Sequence, residues 1–308
     1  AARLQAIEWL AIPDEQERLD ALESGRVHCL HGPVLREVER LRADPRFTVV
    51  EYPQCSNVYL GLNWDRPQLG FADVRVRRAF SLAIDRAAIV ERALAGHGTA
   101  AYGQLGPGDP YYAPAVDQGR AHDPAAADAL LDSAGWTRDE NGIRAKAGQR
   151  LIFECVGQDD EVLRRLAETV RDQLAPRGIR LELRFVKPFA DFYAACGVFP
   201  SSFIGKWLWP DGMDASILFT AGWNYPDPNW QHSRVPELDA AFGDWLRAQS
   251  EPQLQEAATR SQLAVADQLP YIPLVTPNDV WVLSRKLHGW RPPPENLYPF
   301  YQDTWLEE

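Results

Sequence analysis

The residues best suited to chemistry in this chain lie between Lys206 and Trp230. The run Gly205-Lys206-Trp207-Leu208-Trp209-Pro210-Asp211-Gly212-Met213-Asp214 sets carboxylates among indoles. The run Trp223-Asn224-Tyr225-Pro226-Asp227-Pro228-Asn229-Trp230 adds further aromatic and amide groups. A carboxylate that meets a buried ammonium gains a charge-assisted hydrogen bond. An indole face adds cation–π attraction of about 0.5–2 kcal/mol. Lys206 has the opposite sign and suits a carboxylate, while Trp223, Tyr225, Asn229 and Trp230 suit sugars and peptides alike. Each group also has a plain structural reading. The tryptophans can be core, Asp211 can cap a turn, Lys206 can be a solvated surface charge, and two prolines can stiffen the second run.

Other chemistry is thinly represented. His28, Cys29, His31 and Cys55 form the one metal-like cluster. Side chains alternate along a strand, so His28 and His31 should face opposite sides, and the spacing fits no usual zinc pattern. No metal and no cofactor is expected. The chain has no G-x-S-x-G elbow, P-loop, G-x-G-x-x-G after a strand or H-E-x-x-H, so no catalytic residue is assigned and a binding protein is preferred to an enzyme. The adjacent carboxylates Asp159-Asp160 read as solvated. The four cysteines read as buried free thiols.

A net charge of −11 and a pI near 5.1 disfavour a broad nucleic-acid or anionic-membrane surface, and no direct nucleic-acid contact is expected. No apolar run approaches the roughly 20 residues that span a bilayer. Leu4 to Trp9 already reads as a strand. That is the pattern of a chain whose leader has been removed or that begins inside a larger protein.

The elements that must position these residues alternate between strand and helix, which predicts an α/β layer. Residues 5–12 read as a strand, and Asp14 to Leu22 as a helix stopped at Gly25. Strands are expected at 26–30, 47–52 and 58–63, and a helix from Pro33 to Asp44. Val76, Ala79, Phe80, Ala83, Ala87 and Val90 recur at helical spacing and predict one helix over about 74–95. Asp123-Pro124 caps and opens another, which Gly135 stops. Residues 151–186 read as a parallel strand-helix-strand unit. Helices at 236–248 and 252–268 and strands at 271–275 and 280–283 follow.

Several of these segments carry a family resemblance. Val74-Arg75-Val76-Arg77-Arg78-Ala79-Phe80-Ser81-Leu82-Ala83-Ile84-Asp85-Arg86 resembles a signature of the family-5 solute-binding proteins, with Leu62-Asn63 ahead of it. Pro13 to Leu30 resembles the family's helix and small turn, with His28 where aspartate is usual. Asp123 to Trp136 is similar to its D-x-x-x-A-x-x-L-L-x-x-A-G-W segment. Pro236-Glu237-Leu238-Asp239 and Leu269 to Leu274 match two later motifs in the right order.

The resemblance implies an α/β, periplasmic-binding-protein-like type II fold of two lobes with a hinge, the N-terminal part of lobe one missing. Residues 1–72 with 286–308 would be partial lobe one and 73–285 lobe two, with crossing strands near 64–74 and 284–290. It implies a small solute, peptide-like by preference, in the interlobe cleft. Asp211 would meet the solute's ammonium and Trp207 or Trp209 would pack against it, the spacing being one residue off the family's W-x-x-D. The partner would be an ABC importer permease, and the location periplasmic or that of an extracellular lipoprotein. The alternative is the ligand-sensing C-terminal domain of a cytoplasmic transcription regulator with an N-terminal helix-turn-helix.

Overall fold

The computed structural model describes residues 3–55, 57–118, 120–198, 200–206, 229–291 and 301–307. Asp14 opens helix α1 (Glu15–Glu23) by accepting the Glu17 N–H at 2.8 Å. Strand β1 (Cys29–His31), helix α2 (Val38–Ala43) and strands β2 (Phe47–Pro53) and β3 (Val58–Leu62) follow. Leu19, Leu22, Leu30, Leu41, Phe47 and Val282 close a small core around β1 and β2. The strand expected at 5–12 does not form. Its backbone finds no strand partner among the described residues, and Ile7 and Trp9 stay 45% and 62% exposed.

The helix expected over 74–95 is two helices, α3 (Val74–Ala83) and α4 (Arg86–Leu94). Ile84 is extended, and the Asp85 side chain caps the new helix by accepting the Ala88 N–H at 3.0 Å. Once the helix breaks at Ile84, the first N–H groups of α4 lose their intrahelical acceptors, and the Asp85 cap satisfies one of them. Strand β4 (Gly98–Ala100) and helix α5 (Pro124–Ser133) come next, the latter capped by Asp123 with Pro124 in its first turn. A small antiparallel unit of β5 (Thr137–Arg138), β6 (Arg144–Lys146) and β7 (Gln149–Arg150) precedes β8 (Ile152–Gln158).

Helix α6 (Glu161–Leu174) and strand β9 (Arg180–Val186) complete the expected parallel unit, with β8 and β9 in parallel register from Ile152–Arg180 to Gln158–Val186. Helix α7 (Phe189–Gly197) leads to β10 (Ser202–Lys206), which is parallel to β8 and antiparallel to β3. Helices α8 (Pro236–Arg247) and α9 (Glu251–Gln268) follow. The chain then enters strand β11 (Ile272–Ser284) and ends in the short pair β12 (Leu287–His288) and β13 (Trp305–Leu306).

Alternation on the sheet explains why β3 is buried throughout. Val58, Leu60, Phe153, Cys155 and Ile204 face a large core with α3 to α6. Tyr59, Val156 and Phe203 face the opposite side, with α7 to α9 supplying Phe192, Leu238 and Val265. A sheet covered on both faces reads as continuous apolar runs. All four cysteines are free thiols, with Cys55, Cys155 and Cys196 buried and Cys29 partly so.

The two late strands expected at 271–275 and 280–283 are one strand of 13 residues. Its first half pairs with β3 and β4, and its second half, from Asn278 to Ser284, pairs with β2 and β1. Partner exchange therefore falls between β2 and β3 and near 275–278 of β11. Strand β3 pairs with both β10 and β11. Glu51 ties the exchange point together. Its carboxylate meets Arg42 at 2.6 Å, Asn278 at 2.7 Å and His97 at 2.9 Å. Among the described residues no helix is long and apolar enough to cross a membrane.

Candidate functional site

A cavity of about 700 Å³ opens where β11 changes partners. One wall is made by the carboxyl ends of the parallel strands: Gln158 on β8, Lys187 just past β9 and Lys206 on β10. The start of α6 and Phe189 and Phe192 of α7 extend that wall. The facing wall holds His31 of β1 and Asn278, Asp279 and Val280 of β11. Carboxyl ends of parallel strands leave backbone and loop side chains free for ligands, and the volume falls in the range of about 300–1,000 Å³ usual for small-molecule sites.

Strand register assembles the facing wall. Asp279 lies opposite Tyr52 on one neighbour, and Trp281 lies opposite His31 on the other. Asp279 and Trp281 are two apart, so they share a face. The Asp279 carboxylate accepts from the Tyr52 hydroxyl at 2.7 Å and the Trp281 indole N–H at 2.8 Å, and lies 2.7 Å from His31 Nε2. The His31 ring stacks on Trp281 with centroids 4.1 Å apart. Burial pushes the Asp279 carboxyl up, but His31, Tyr52 and Trp281 together outweigh it and hold the pKa at about 2.

That depression carries a sign. The folded pKa lies below the ordinary aspartate value of about 3.9, so the contribution is present at neutral pH and lost as pH falls from about 4 to about 2. The shift corresponds to about 2.6 kcal/mol. Asp279→Asn should lower neutral-pH stability by about that much and flatten the acid limb of a urea-denaturation series run from pH 7 to 2. An unchanged acid limb would show that the carboxylate is not held by its neighbours.

The opposite wall is charged but mostly self-satisfied. Asp160 caps α6 by accepting the Val162 and Leu163 N–H groups at 3.0 Å each. Asp159 pairs with Arg164 and meets Lys187 at 3.3 Å. The pair expected to be solvated is therefore tied down, one carboxylate capping a helix and the other in ion pairs. Lys206 is half-buried at the end of β10. Burial lowers its pKa, while the Asp279 and Asp160 carboxylates raise it.

Of the other sequence-derived candidates, Asn229 and Trp230 are among the described residues. Trp207, Trp209, Asp211, Trp223 and Tyr225 lie outside the described residues. Asn229 is buried, and its side chain holds a turn, donating to the Ser233 carbonyl at 2.9 Å and accepting the Ser233 N–H at 3.1 Å. Trp230 is 6% exposed and meets Phe203, Tyr193 and Phe192 edge-on in the second core. Of the described candidates, Lys206 alone lines the cavity. No group of three or more His, Cys, Asp or Glu able to hold a metal is found among the described residues. His31 and Cys29 do occupy neighbouring positions on β1, but His31 is engaged with Asp279. Sequence reasoning missed Asp279 and Tyr52. The available signal was an acid directly ahead of the apolar run Val280-Trp281-Val282-Leu283.

A second cavity of about 430 Å³ lies beside β1, between residues 4–12 and Trp281, Tyr301 and Leu306. It is lined largely by apolar side chains, and His31 borders both cavities.

Comparison with known proteins places these features in context. Residues 1–231 match the family described as bacterial extracellular solute-binding proteins, family 5. The chain is 26% identical over 320 residues to the oligopeptide-binding protein AppA of Bacillus subtilis, covering 98% of this chain and 56% of that protein. It is 23% identical over 296 residues to heme-binding protein A of Haemophilus influenzae, covering 94% and 52%. The chain thus spans about half the length of these curated relatives. Among solved structures, AppA from Bacillus subtilis in complex with a nonapeptide superposes with a TM-score of 0.83 at 23% identity, covering 96% of this chain and 59% of that one. NikA from Brucella suis in complex with Fe(III)-EDTA gives 0.81 at 22% identity, covering 96% and 61%. These likenesses bear out the expected α/β, periplasmic-binding-protein-like type II fold.

Proposed function

The chain belongs to the bacterial extracellular solute-binding proteins of family 5, and on that premise we propose that its 700 Å³ cavity seats a small polar solute for delivery to an ABC importer. The supporting observation is the position of the cavity. It lies at the carboxyl ends of three parallel-register strands and against the strand that changes partners. A site spanning both sets of pairings lets the solute stabilise one arrangement of the two over others. We place the lobe division at this exchange point, with residues up to about 53 and from about 278 on one side. The solute is peptide-like in this reading. The relative AppA is named for oligopeptides and its structure holds a nonapeptide, and the walls here offer both charge signs with Phe189 and Phe192 beside them. Trp207, Trp209, Asp211, Trp223 and Tyr225 belong to this proposal as groups that complete the seat. The protein works outside the cytoplasm, with a lipid anchor as one means of retention. No observation favours the regulatory alternative.

Calorimetric titration of the 308-residue chain with di-, tri- and pentapeptides tests the reading. At least one length is expected to bind with micromolar affinity. Gln158→Trp, which fills the cavity from the end of β8, should weaken that binding by about 100-fold, or about 2.7 kcal/mol. Gln158 is part-exposed and its side chain has no hydrogen-bond partner among the described residues, so melting should be unaffected. Binding that survives Gln158→Trp unchanged would move the site elsewhere.

A further inference from the structure

We propose that Lys206 is the anion-binding residue of the cavity, and that the solute it selects carries a free carboxylate next to an apolar group. This rests on the reading of the cavity as the solute's seat. The other charges on the cavity walls have partners within the fold. Asp14 accepts the Glu17 N–H, and Glu15 and Glu161 both meet Arg165. Asp159 has Arg164 and Lys187, Asp160 has two helix N–H groups, and Asp279 has His31, Tyr52 and Trp281. Arg18 donates to the Ile12, Pro13 and Gly32 carbonyls. Among the described residues that line the cavity, Lys206 is then the only charged group with no hydrogen-bond or ion-pair partner.

A half-buried ammonium without a hydrogen-bonded partner is costly, and among the described residues Asp279 and Asp160 act on Lys206 only at longer range. Neither serves as that partner, because each already accepts from other donors. A solute carboxylate would, through a charge-assisted hydrogen bond. The apolar half of the proposal follows from α7. Phe192 is buried in the second core, whereas Phe189 lines the cavity yet remains 42% exposed. Val58 and Ile204 continue this apolar lining on the strands beside Lys206. A carboxylate reaching Lys206 thus brings its neighbouring side chain to an apolar wall.

The test compares Ala-Ala-Phe with its C-terminal amide by calorimetry, on the wild type and on Lys206→Met, which keeps the stem and removes the charge. The wild type is expected to prefer the acid by about 10- to 100-fold, the range of a hydrogen bond to a charged group. Lys206→Met should bind acid and amide within about threefold of each other, and Lys206→Arg should keep the preference. Melting curves verify that each variant is folded. Equal binding of acid and amide by the wild type, or a preference that survives Lys206→Met, overturns the role of Lys206. It leaves the cavity reading standing provided Gln158→Trp still weakens binding by about 100-fold. Binding of neither peptide, or binding indifferent to Gln158→Trp, overturns both.

Discussion

Phe80→Ala is expected to destabilise the fold by about 3–5 kcal/mol, the usual cost of emptying a buried aromatic site. Phe80 is fully buried, with ring centroids 5.9 Å from Phe71 and 6.0 Å from Phe153. Phe71 and Phe153 themselves meet at 5.0 Å, so the rings form a closed triangle between α3 and β8. Neighbours locked this way cannot collapse into the gap, which puts the cost toward the upper part of that range. Urea denaturation reads it directly, as a lowered midpoint at unchanged slope. A loss below about 1 kcal/mol would mean that the triangle is not the packing centre of this face.

Arg86→Ala is expected to cost about 4 kcal/mol for a different reason. This arginine is 3% exposed and has no carboxylate partner among the described residues. It donates to the Ala101 carbonyl at 2.9 Å, the Pro273 carbonyl at 3.0 Å, and the Ser81 carbonyl and hydroxyl at 2.9 Å each, under the Tyr102 ring. One side chain thus ties the start of α4 to the end of β4, to α3 and to β11. Two effects compete. Removing a buried cation relieves its desolvation, which burial already expresses by lowering the Arg86 pKa to about 10. Against that, several interior carbonyls lose their donor at about 1–3 kcal/mol each, and a void remains. The second effect is larger because three elements lose acceptor satisfaction together. A neutral or stabilising result in the same urea assay would show that desolvation wins and that the arginine is not a clamp.

Arg86 also shows where the sequence was and was not readable. The apolar period of Val76, Ala79, Phe80 and Ala83 is a local pattern, and each of these residues is buried as the period requires. The caps Asp14, Asp123 and Asp160 are equally local, since the accepting side chain and its donor N–H lie two or three positions apart. Periodicity has no means of burying Arg77 or Arg86, because their partners are backbone carbonyls up to 191 residues away. The extra N-cap at Asp85 is written in a single residue, and the apolar spacing running through it suggested continuity. Residues 5–12 failed in the opposite direction, with strand-like alternation and no partner strand to receive it.

The site divides in the same way. Lys206 could be proposed from its type and its place in the chain, and it lines the cavity. Trp230 and Asn229 share the aromatic and amide chemistry of binding residues, but they are packed in the second core and in a turn. Composition does not distinguish an indole that packs from one that binds. Asp279, Tyr52 and His31 come together only through the register of β1, β2 and β11, which spans up to 248 residues of sequence. No local spacing encodes that contact. The position of the cavity likewise depends on one long strand changing partners, where the sequence showed two short ones.

A crystal structure of the chain grown with saturating Ala-Ala-Phe tests the central claim most directly. The account predicts peptide density at the ends of β8 and β10, facing His31 and Asp279, with its carboxylate within hydrogen-bond distance of Lys206 Nζ. Density confined to the smaller cavity beside Trp281 and Tyr301, with the larger one holding only water, would contradict it.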